Sequence, residues 1–511
     1  MNTILRRLLY CVSAGTILAG CVSAQPVTPP AEASLAGPLA VSAPLLLQDS
    51  AVRGHGVFAG TAIDYTAAIE RIQIAPEGDL PPADLVTISY VADTGAPHTE
   101  RPVLFIFNGG PISASLWLHI GALGPQRVSA PDDLSAPLED YALVANPHSP
   151  LDVADLVFFD PASTGFSRVA EGGDDSKYFS VRTDAEQFVA FAQAWLEKHD
   201  RLDAPVFILG ESYGTHRAAE AAGQIAEAGK LNLEGVFLMG QAVNIIEYSQ
   251  RRQNILSYIA SLPTLAAIAW DVGAVDKEGR SFEDFIAQAQ AFGEEEYLGA
   301  LFKGQRITPE ELADMAGKLE AFTGIPAAYY VENRLRISKE QFRVELLKGN
   351  GLILGRSDGR YTGPLGDGRS DPSDILQKAY SKLFAAYFSE TFEDVPLDGY
   401  RESFSAGPGF DSWNWGAASP FGHFAYAERI GAAFKAFQNF RVFVGTGYHD
   451  TMTTVGAADY LADQSDWPMD RVRSGKYIGG HMAYSVDASA QAFGEDIRSW
   501  VRGWADEGAG E

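Results

Sequence analysis

Ser212 has the surroundings of a catalytic serine. It lies in the segment "PVFILGESYGTHRAAE" (205–220), between Gly210 and Gly214, in the pattern G-x-S-x-G. An apolar run typical of a buried strand precedes it and a run of helix formers follows it, so the sequence predicts a strand, a sharp turn and a helix. Such a turn exposes the serine hydroxyl and leaves backbone N–H groups free beside it. We therefore predict that Ser212 is a nucleophile; the alternative is a serine in an ordinary tight turn.

A second match to the same pattern is "GRSDG", Gly355 to Gly359. The chain holds 51 glycines in 511 residues, so chance alone can produce the pattern. Ser357 lies in "GNGLILGRSDGRYTGPLGDGRSDPSD", where glycine, proline and aspartate recur too often for a helix to follow. We expect this segment to be a loop and Ser357 to have no catalytic role.

A serine hydroxyl becomes a good nucleophile when a histidine accepts its proton and a carboxylate holds that imidazole. In hydrolases with a G-x-S-x-G turn the chain order is serine, acid, histidine. His216 falls on the helix after the turn, where we expect it to face solvent or cap the helix. His423 lies among aromatic residues and could equally pack in the core. His449 and His481 both follow predicted strands, where catalytic loops emerge.

Asp450 and His481 satisfy both the order and the placement. Asp450 ends "RVFVGTGYHD", and His481 follows two glycines in "GKYIGGHMAY". The competing assignment, His449 with another acid, finds no Asp or Glu at a comparable strand end between 212 and 449. We predict that Asp450 and His481 complete a triad with Ser212; structural roles for both are the alternative.

Acyl transfer also needs N–H donors for the developing oxyanion. "LFIFNGGPISAS" is a predicted strand that runs into Asn108-Gly109-Gly110-Pro111. The N–H groups of Gly110 and Tyr213 are the predicted oxyanion hole. The alternative is a simple Gly-Gly-Pro turn.

Strands and helices alternate along the chain, which predicts an α/β fold: a mostly parallel sheet with helices on both faces. The predicted strands are 84–92, 101–110, 154–160, 205–210, 235–243, 441–447 and 475–480. Residues 248–415 change to helical and aromatic segments, which we interpret as an inserted lid. The core would then comprise 46–247 and 416–506.

The first 24 residues predict export. Arg6 and Arg7 precede a short apolar stretch and a small-residue exit, which is typical of a signal peptide. Leu18-Ala19-Gly20-Cys21 resembles a bacterial lipoprotein box, so Cys21 is the predicted lipidation site and a possible membrane anchor. Cleavage after "VSA", before Gln25, is the alternative. Residues 25–45, rich in Pro and Ala, are typical of a linker.

The cysteine count, the net charge and the apolar runs each disfavour a structural feature or a class of partner. The other cysteine, Cys11, lies within the predicted signal peptide, so we expect no intramolecular disulfide. The formal charge of −27 disfavours nucleic acid as a partner. No apolar run after the signal peptide is long enough for a membrane helix. The sequence does not indicate an oligomeric state.

Taken together, these motifs resemble those of the serine carboxypeptidases, the S10 peptidase family, and particularly their bacterial branch. "NGGPISASLWLHIGALGP" is similar to the family's N-G-G-P-G-x-S-S stretch, and "ANPHSPLDVADLVFFDPASTGFSR" to its N-P-x-S-W…L-D-Q-P-x-G-x-G-F-S segment. "GESYG" is similar to the G-E-S-Y-A/G turn, "GTGYHD" to G-x-x-D and "GGHMAY" to G-G-H-M-x-P. The order and spacing hold from about residue 80 to residue 500.

The resemblance implies an α/β-hydrolase fold with a helical insertion, no metal or other cofactor, and peptides as substrates cleaved at the C-terminus. It carries over the same triad and oxyanion hole. It further implies that Asn108 and Glu211 hydrogen-bond the substrate's terminal carboxylate.

Three positions depart from the family pattern. Ile106 stands where the family has tryptophan, Ile112 where it has the glycine after proline, and Ala122 where it has the acid of E-x-G-P. Two of these positions normally belong to carboxylate recognition. A peptidase or esterase with looser end recognition, and a non-catalytic binding lipoprotein on a hydrolase scaffold, are therefore the alternatives.

Overall fold

A twisted mixed sheet forms the centre of the computed structural model. The structure describes residues 48–504 except 77, 96, 98, 278, 405–408, 410–411 and 417–423. The predicted signal peptide, the lipobox with Cys21 and the linker lie outside the described residues, as does His423. The described residues belong to one compact unit.

The strands have the following bounds: Ser50–Phe58 (β1), Thr61–Ile74 (β2), Ala83–Ala92 (β3), Val103–Phe107 (β4), Gln126–Ser129 (β5), Ala142–Ala145 (β6), Asp155–Phe159 (β7), Arg168–Val169 (β8), Val206–Glu211 (β9), Leu233–Met239 (β10), Leu352–Leu354 (β11), Thr362–Pro364 (β12), Arg441–Gly447 (β13) and Val472–Tyr477 (β14).

Ten of the strands found in the described residues form the central sheet. Its order is β1-β2-β3-β7-β4-β9-β10-β13-β14, and β8 pairs with β3. In this order, every neighbouring pair from β7 to β14 is parallel. The pairs β1–β2, β2–β3 and β3–β7 are antiparallel. β5 pairs with β6, and β11 with β12, in separate hairpins. The predicted α/β fold is confirmed, with an antiparallel edge that the sequence analysis did not identify.

The helices have the following bounds: Leu116–Leu118 (α1), Val181–Lys198 (α2), Gly214–Ala228 (α3), Ile245–Tyr248 (α4), Leu256–Asp271 (α5), Phe282–Phe292 (α6), Leu298–Lys303 (α7), Pro309–Thr323 (α8), Ala327–Glu332 (α9), Lys339–Glu345 (α10), Asp374–Thr391 (α11), Tyr426–Ala436 (α12), Val455–Gln464 (α13) and Asp487–Val501 (α14). None of the described helices is both long and apolar enough to cross a membrane.

Helices cover both faces of the sheet because the parallel strands are apolar on both sides. Leu104 and Ile106 of β4 belong to one buried cluster, which includes residues of α11 and α14. Val103, Phe105 and Phe107 of the same strand belong to a second cluster with α2, α3, α12 and α13. Alternation of side chains along a strand produces this division.

A buried carboxylate secures the start of β7 beside β4. Asp155 is fully buried and accepts hydrogen bonds from Arg101 at 2.8 Å and from Arg201 at 2.7 Å. The backbone N–H of Ala92 donates to the same carboxylate at 2.9 Å. A buried charge with several donors is stable, whereas removal of one partner leaves an uncompensated charge.

The predicted lid, 248–415, contains α5 to α11 and the β11–β12 hairpin. Residues of α5 to α10 pack into an apolar cluster of their own, which includes Leu265, Phe292, Leu319 and Phe342. The insertion also packs closely on the sheet layer, since a Cβ on Gly456 of α13 would lie 2.7 Å from the carbonyl oxygen of Ala260. The domain limits given above remain a prediction.

Candidate active site

The chain turns sharply at Ser212. β9 ends at Glu211 and α3 begins at Gly214, as the sequence predicts. Ser212 has a φ of +58°, a left-handed conformation that few side chains adopt, and its N–H donates to the carbonyl of Met239 on β10 at 2.9 Å. A Cβ on Gly210 would lie 2.4 Å from the carbonyl oxygen of Gly214, so the turn requires glycine there. Ser212 is half-buried at the carboxyl end of β9.

Asp450 and His481 lie side by side beyond the ends of β13 and β14. His481 Nδ1 is 2.6 Å from Asp450 Oδ2. Asp450 Oδ1 accepts hydrogen bonds from the N–H groups of Met452 at 2.7 Å and Thr453 at 3.0 Å, and the Thr453 hydroxyl donates to Oδ2. Asp450 is fully buried and His481 is 7% exposed. The carboxylate can therefore fix the imidazole with Nε2 directed away from it.

Adjacent parallel strands bring His481 to the serine turn. Met239, which accepts the N–H of Ser212, is followed by Gly240. A Cβ on Gly240 would lie 3.1 Å from two ring atoms of His481, so the imidazole lies over this glycine. The structure thus brings Ser212, Asp450 and His481 together at the carboxyl edge of one sheet.

Gly109 contacts the same turn. A Cβ on Gly109 would lie 2.6 Å from the backbone nitrogen of Tyr213 and 2.8 Å from the Cβ of Ser212, so only glycine fits there. Gly110 has a φ of +117° and precedes Pro111 through a cis peptide bond. Gly110 thus follows a glycine that contacts both Ser212 and Tyr213. The role of the Gly110 and Tyr213 N–H groups as an oxyanion hole stays a prediction.

Glu211 is held by two neutral donors next to Ser212. Asn108 Nδ2 donates to Glu211 Oε1 at 2.7 Å, and the Tyr484 hydroxyl donates to Glu211 Oε2 at 2.7 Å. Asn108 is itself fixed, because its Oδ1 accepts the N–H of Leu118 at 3.0 Å. The predicted carboxylate-binding pair is therefore together, and Tyr484 joins it. Tyr484 was not among the predicted site residues. It stands where the G-G-H-M-x-P motif has proline, and that difference alone does not indicate Glu211 as its partner.

Burial and neighbouring charges set the proton affinities of this cluster. Burial raises the pKa of Glu211 to about 6, and the Asp450 carboxylate acts in the same direction, while His481 and the two hydrogen-bond donors oppose them. Burial alone would lower the pKa of His481, but the Asp450 and Glu211 carboxylates raise it to about 9. His481 therefore titrates between two acids that both favour the imidazolium.

The three departures from the family pattern contribute no polar group here. Ile106 is fully buried in β4, and Ile112 is buried with a φ of +59°. Ala122 is buried in the π-helical turn His119–Leu123.

His216 does not face solvent, so the sequence-based expectation is wrong. Its side chain is fully buried, and its ring stacks on Tyr213 and meets Trp415 and Tyr426 edge-on. α3 packs against both α2 and α12, which leaves this face of the helix covered. Burial lowers the pKa of His216 to about 3.

His449 has an acidic partner that the strand-end criterion missed. Its Nε2 is 2.6 Å from Asp271 Oδ2, and its Nδ1 accepts the N–H of Gly479 at 3.2 Å. Asp271 is the last residue of α5, a helix of the insertion, so no strand pattern could reveal it. Because Asp271 is the partner of His449, Asp450 is available as the partner of His481.

The second serine motif forms a loop, as expected, but it contacts the histidine segment directly. The carbonyl of Ser357 accepts the N–H of His481 at 2.6 Å, and Asp358 Oδ2 accepts the N–H of Gly480 at 2.9 Å. Thr451 donates to the carbonyl of Arg356 at 2.7 Å. No sequence pattern predicted that this loop would accept the backbone N–H groups of the histidine segment.

Among the described residues, no group of three or more His, Cys, Asp or Glu side chains is arranged to hold a metal ion.

The sheet order and the strand–serine–helix turn define the α/β-hydrolase fold. A family model described as serine carboxypeptidase matches residues 90–281, which include Asn108, Glu211 and Ser212. Two curated Arabidopsis thaliana proteins, serine carboxypeptidase-like 37 and 36, are each 29% identical to the chain, over 163 and 168 residues. Those regions are 29% and 32% of this chain and 30% and 33% of the relatives, so the match spans about a third of their length.

Among solved structures, Kex1(Δ)p, a prohormone-processing carboxypeptidase from Saccharomyces cerevisiae, aligns with a TM-score of 0.54 at 14% identity. The alignment covers 85% of this chain and 91% of that chain, which supports the fold.

Proposed function

We propose that the protein is an exported serine carboxypeptidase that removes C-terminal residues from peptides through an acyl-enzyme. The observation that carries the proposal is the 2.6 Å contact between His481 and Asp450 beside the left-handed Ser212 turn. The serine carboxypeptidase match over residues 90–281 supports the same chemistry.

The triad would act in two half-reactions. Neutral His481 takes the proton of Ser212 Oγ as that oxygen attacks the scissile carbonyl carbon, and the N–H groups of Gly110 and Tyr213 stabilise the oxyanion. The imidazolium then gives its proton to the leaving amine, the C–N bond breaks and the shortened peptide remains as an ester on Ser212. Water attacks this ester with His481 as base, which releases the new carboxylic acid and restores the serine.

Asn108 and Glu211 would bind the terminal carboxylate of the substrate. Two carboxylates within hydrogen-bonding reach cannot both be ionised cheaply, so productive binding favours a protonated Glu211 that donates to the substrate, with Asn108 as second donor. Burial already raises the pKa of Glu211 to about 6, which supports this assignment.

A peptidase or esterase with looser end recognition is the second candidate. The observation that favours it is the apolar character of Ile106 and Ala122, which offer no group to a terminal carboxylate. Both oxygens of Glu211 are also already hydrogen-bonded.

Hydrolysis of N-blocked dipeptides with free, amidated and esterified C-termini separates these functions. A preference for the free acid in kcat/KM supports the carboxypeptidase. Equal or better hydrolysis of amide and ester supports the looser enzyme. Absence of all three activities, with the Ser212→Ala protein as background, supports a non-catalytic binding lipoprotein.

We further propose that the protein is exported from a bacterial cell and anchored on the periplasmic side through lipidated Cys21. The support comes from the sequence: Arg6 and Arg7, the apolar stretch and the Leu18–Cys21 box. Cleavage before Gln25 would instead yield a soluble periplasmic or secreted enzyme.

A further inference from the structure

Tyr484 is locked in place beside Glu211. It lies in the short 3₁₀ turn Ala483–Ser485, directly after the histidine segment, and is 1% exposed. A Cβ on Gly121 would lie 2.6 Å from its ring, and the ring stacks on Phe493 with centroids 6.0 Å apart. The ring is therefore fixed with its hydroxyl 2.7 Å from Glu211 Oε2, and Asn108 also lies beside this hydroxyl.

The two donors on Glu211 act against its other surroundings. A hydrogen bond donated to a carboxylate stabilises the ionised form, and burial stabilises the protonated form. Two charged groups of the site also face Glu211: Asp450 opposes its ionisation and the His481 imidazolium favours it. From α11, the buried Tyr380 also faces Glu211, and Arg127 lies near that tyrosine. The loss or gain of one hydrogen bond can therefore shift the protonation equilibrium of the Glu211 carboxyl group.

We propose that Tyr484 is a positioning residue that sets the pH range in which Glu211 can accept a substrate with a free carboxylate. The proposal rests on the proposed carboxypeptidase function, in which Glu211 binds that carboxylate in its protonated form. By donating to Glu211, Tyr484 favours ionisation and so restricts binding of free-acid peptides to lower pH. Its place in the chain, three residues after His481, couples this control to the catalytic histidine segment.

The test compares Tyr484→Phe with Tyr380→Phe. Both changes remove one hydroxyl from a buried ring near Glu211, but within the described residues the Tyr380 hydroxyl has no hydrogen-bond partner. KM is measured against pH for a free-acid and an amidated dipeptide. In Tyr484→Phe, the alkaline rise of KM for the free acid should move up by about one pH unit, because a hydrogen bond to a charged group is lost. Tyr380→Phe should keep the wild-type midpoint.

A spectroscopic titration gives the same answer without turnover. The carboxylic acid C=O stretch of Glu211, identified by its loss in Glu211→Gln, should persist to higher pH in Tyr484→Phe than in wild type. If the protein hydrolyses no free-acid peptide but this stretch shifts, the proposed function fails while the Tyr484–Glu211 coupling stands. If free-acid peptides are preferred but neither midpoint moves, the role of Tyr484 is overturned. An equal shift in Tyr380→Phe overturns it as well.

A second variant covers the case in which Tyr484→Phe does not fold. 3-Fluorotyrosine placed at position 484 alone keeps the ring and the hydroxyl and makes the hydroxyl a stronger donor. Both midpoints should then move to lower pH, opposite to the phenylalanine variant. An unchanged or raised midpoint contradicts the proposal.

Discussion

His481 lies near two carboxylates, and only one of them is its predicted triad partner. Asp450 contacts Nδ1 at 2.6 Å, while Glu211 acts through its charge and raises the pKa of the same imidazole. In a free enzyme, the neutral histidine needed as base therefore increases as pH rises toward about 9.

Replacement of Ser212 tests the nucleophile. Ser212→Ala should lower kcat by about 10⁴- to 10⁶-fold, the typical loss on removal of a triad member. A fluorophosphonate probe should label Ser212 in the wild-type protein, as located by peptide mass spectrometry, and the alanine variant should keep its thermal unfolding temperature. Labelling at Ser357, or full activity without Ser212, contradicts the assignment.

Replacement of Glu211 tests its two electrostatic effects separately. Glu211→Gln removes the charge that favours the imidazolium, so the rise of kcat/KM with pH for an amidated substrate should move to lower pH. For free-acid peptides, the rise of KM at alkaline pH should flatten. Glu227→Gln, on the exposed part of α3, is the charge-matched control and should leave both profiles unchanged. Identical pH profiles for Glu211→Gln and wild type would remove both claims.

At the scale of elements, the loop that contains Gly355–Gly359 lies in the predicted insertion and supports the histidine segment. Its Ser357 carbonyl and Asp358 carboxylate accept the N–H groups of His481 and Gly480. Arg360 holds Asp358 with contacts of 3.0 and 2.6 Å. The position of the His481 imidazole thus depends on residues near the ends of β13 and β14 and on residues of the predicted insertion.

Asp358→Asn tests this support. Asp358 is 1% exposed, and loss of its charge weakens a buried ion pair, so the free energy of unfolding should fall by about 3 kcal/mol and kcat should fall with it. Chemical denaturation and kcat for an amidated dipeptide are the measurements. Asp367→Asn, in the same segment but exposed and 4.0 Å from Arg369, should change neither. A wild-type kcat for Asp358→Asn would show that the loop does not position His481.

The sequence predicted those elements whose pattern is local. Continuous apolar runs located β4, β7, β9 and β13, and the glycines around Ser212 located the turn. β1 was not predicted, because its residues alternate between exposed and half-buried positions and form no continuous apolar run. The Asp271–His449 pair and the Tyr484–Glu211 hydrogen bond join residues more than 170 positions apart, so no local pattern could reveal them.

At the scale of the whole molecule, the proposed signal peptide and lipobox would determine where the enzyme acts. Cys21 in the predicted box should become the mature N-terminus and carry lipid, so the protein made in a bacterial host should partition into detergent. Mass spectrometry of the mature N-terminus is the measurement, and Cys21→Ala is the variant expected to lose partitioning. A free N-terminus at Gln25 in the wild-type protein would contradict lipidation.

The contact of the Gly355–Gly359 loop with the histidine segment limits how such an enzyme can be redesigned. A chimera that replaces residues 248–415 with the corresponding segment of another hydrolase would delete the acceptors of the His481 and Gly480 N–H groups. The predicted lid and the segment that carries His481 therefore do not form separate modules, and an exchange of specificity would have to leave residues 355–361 in place.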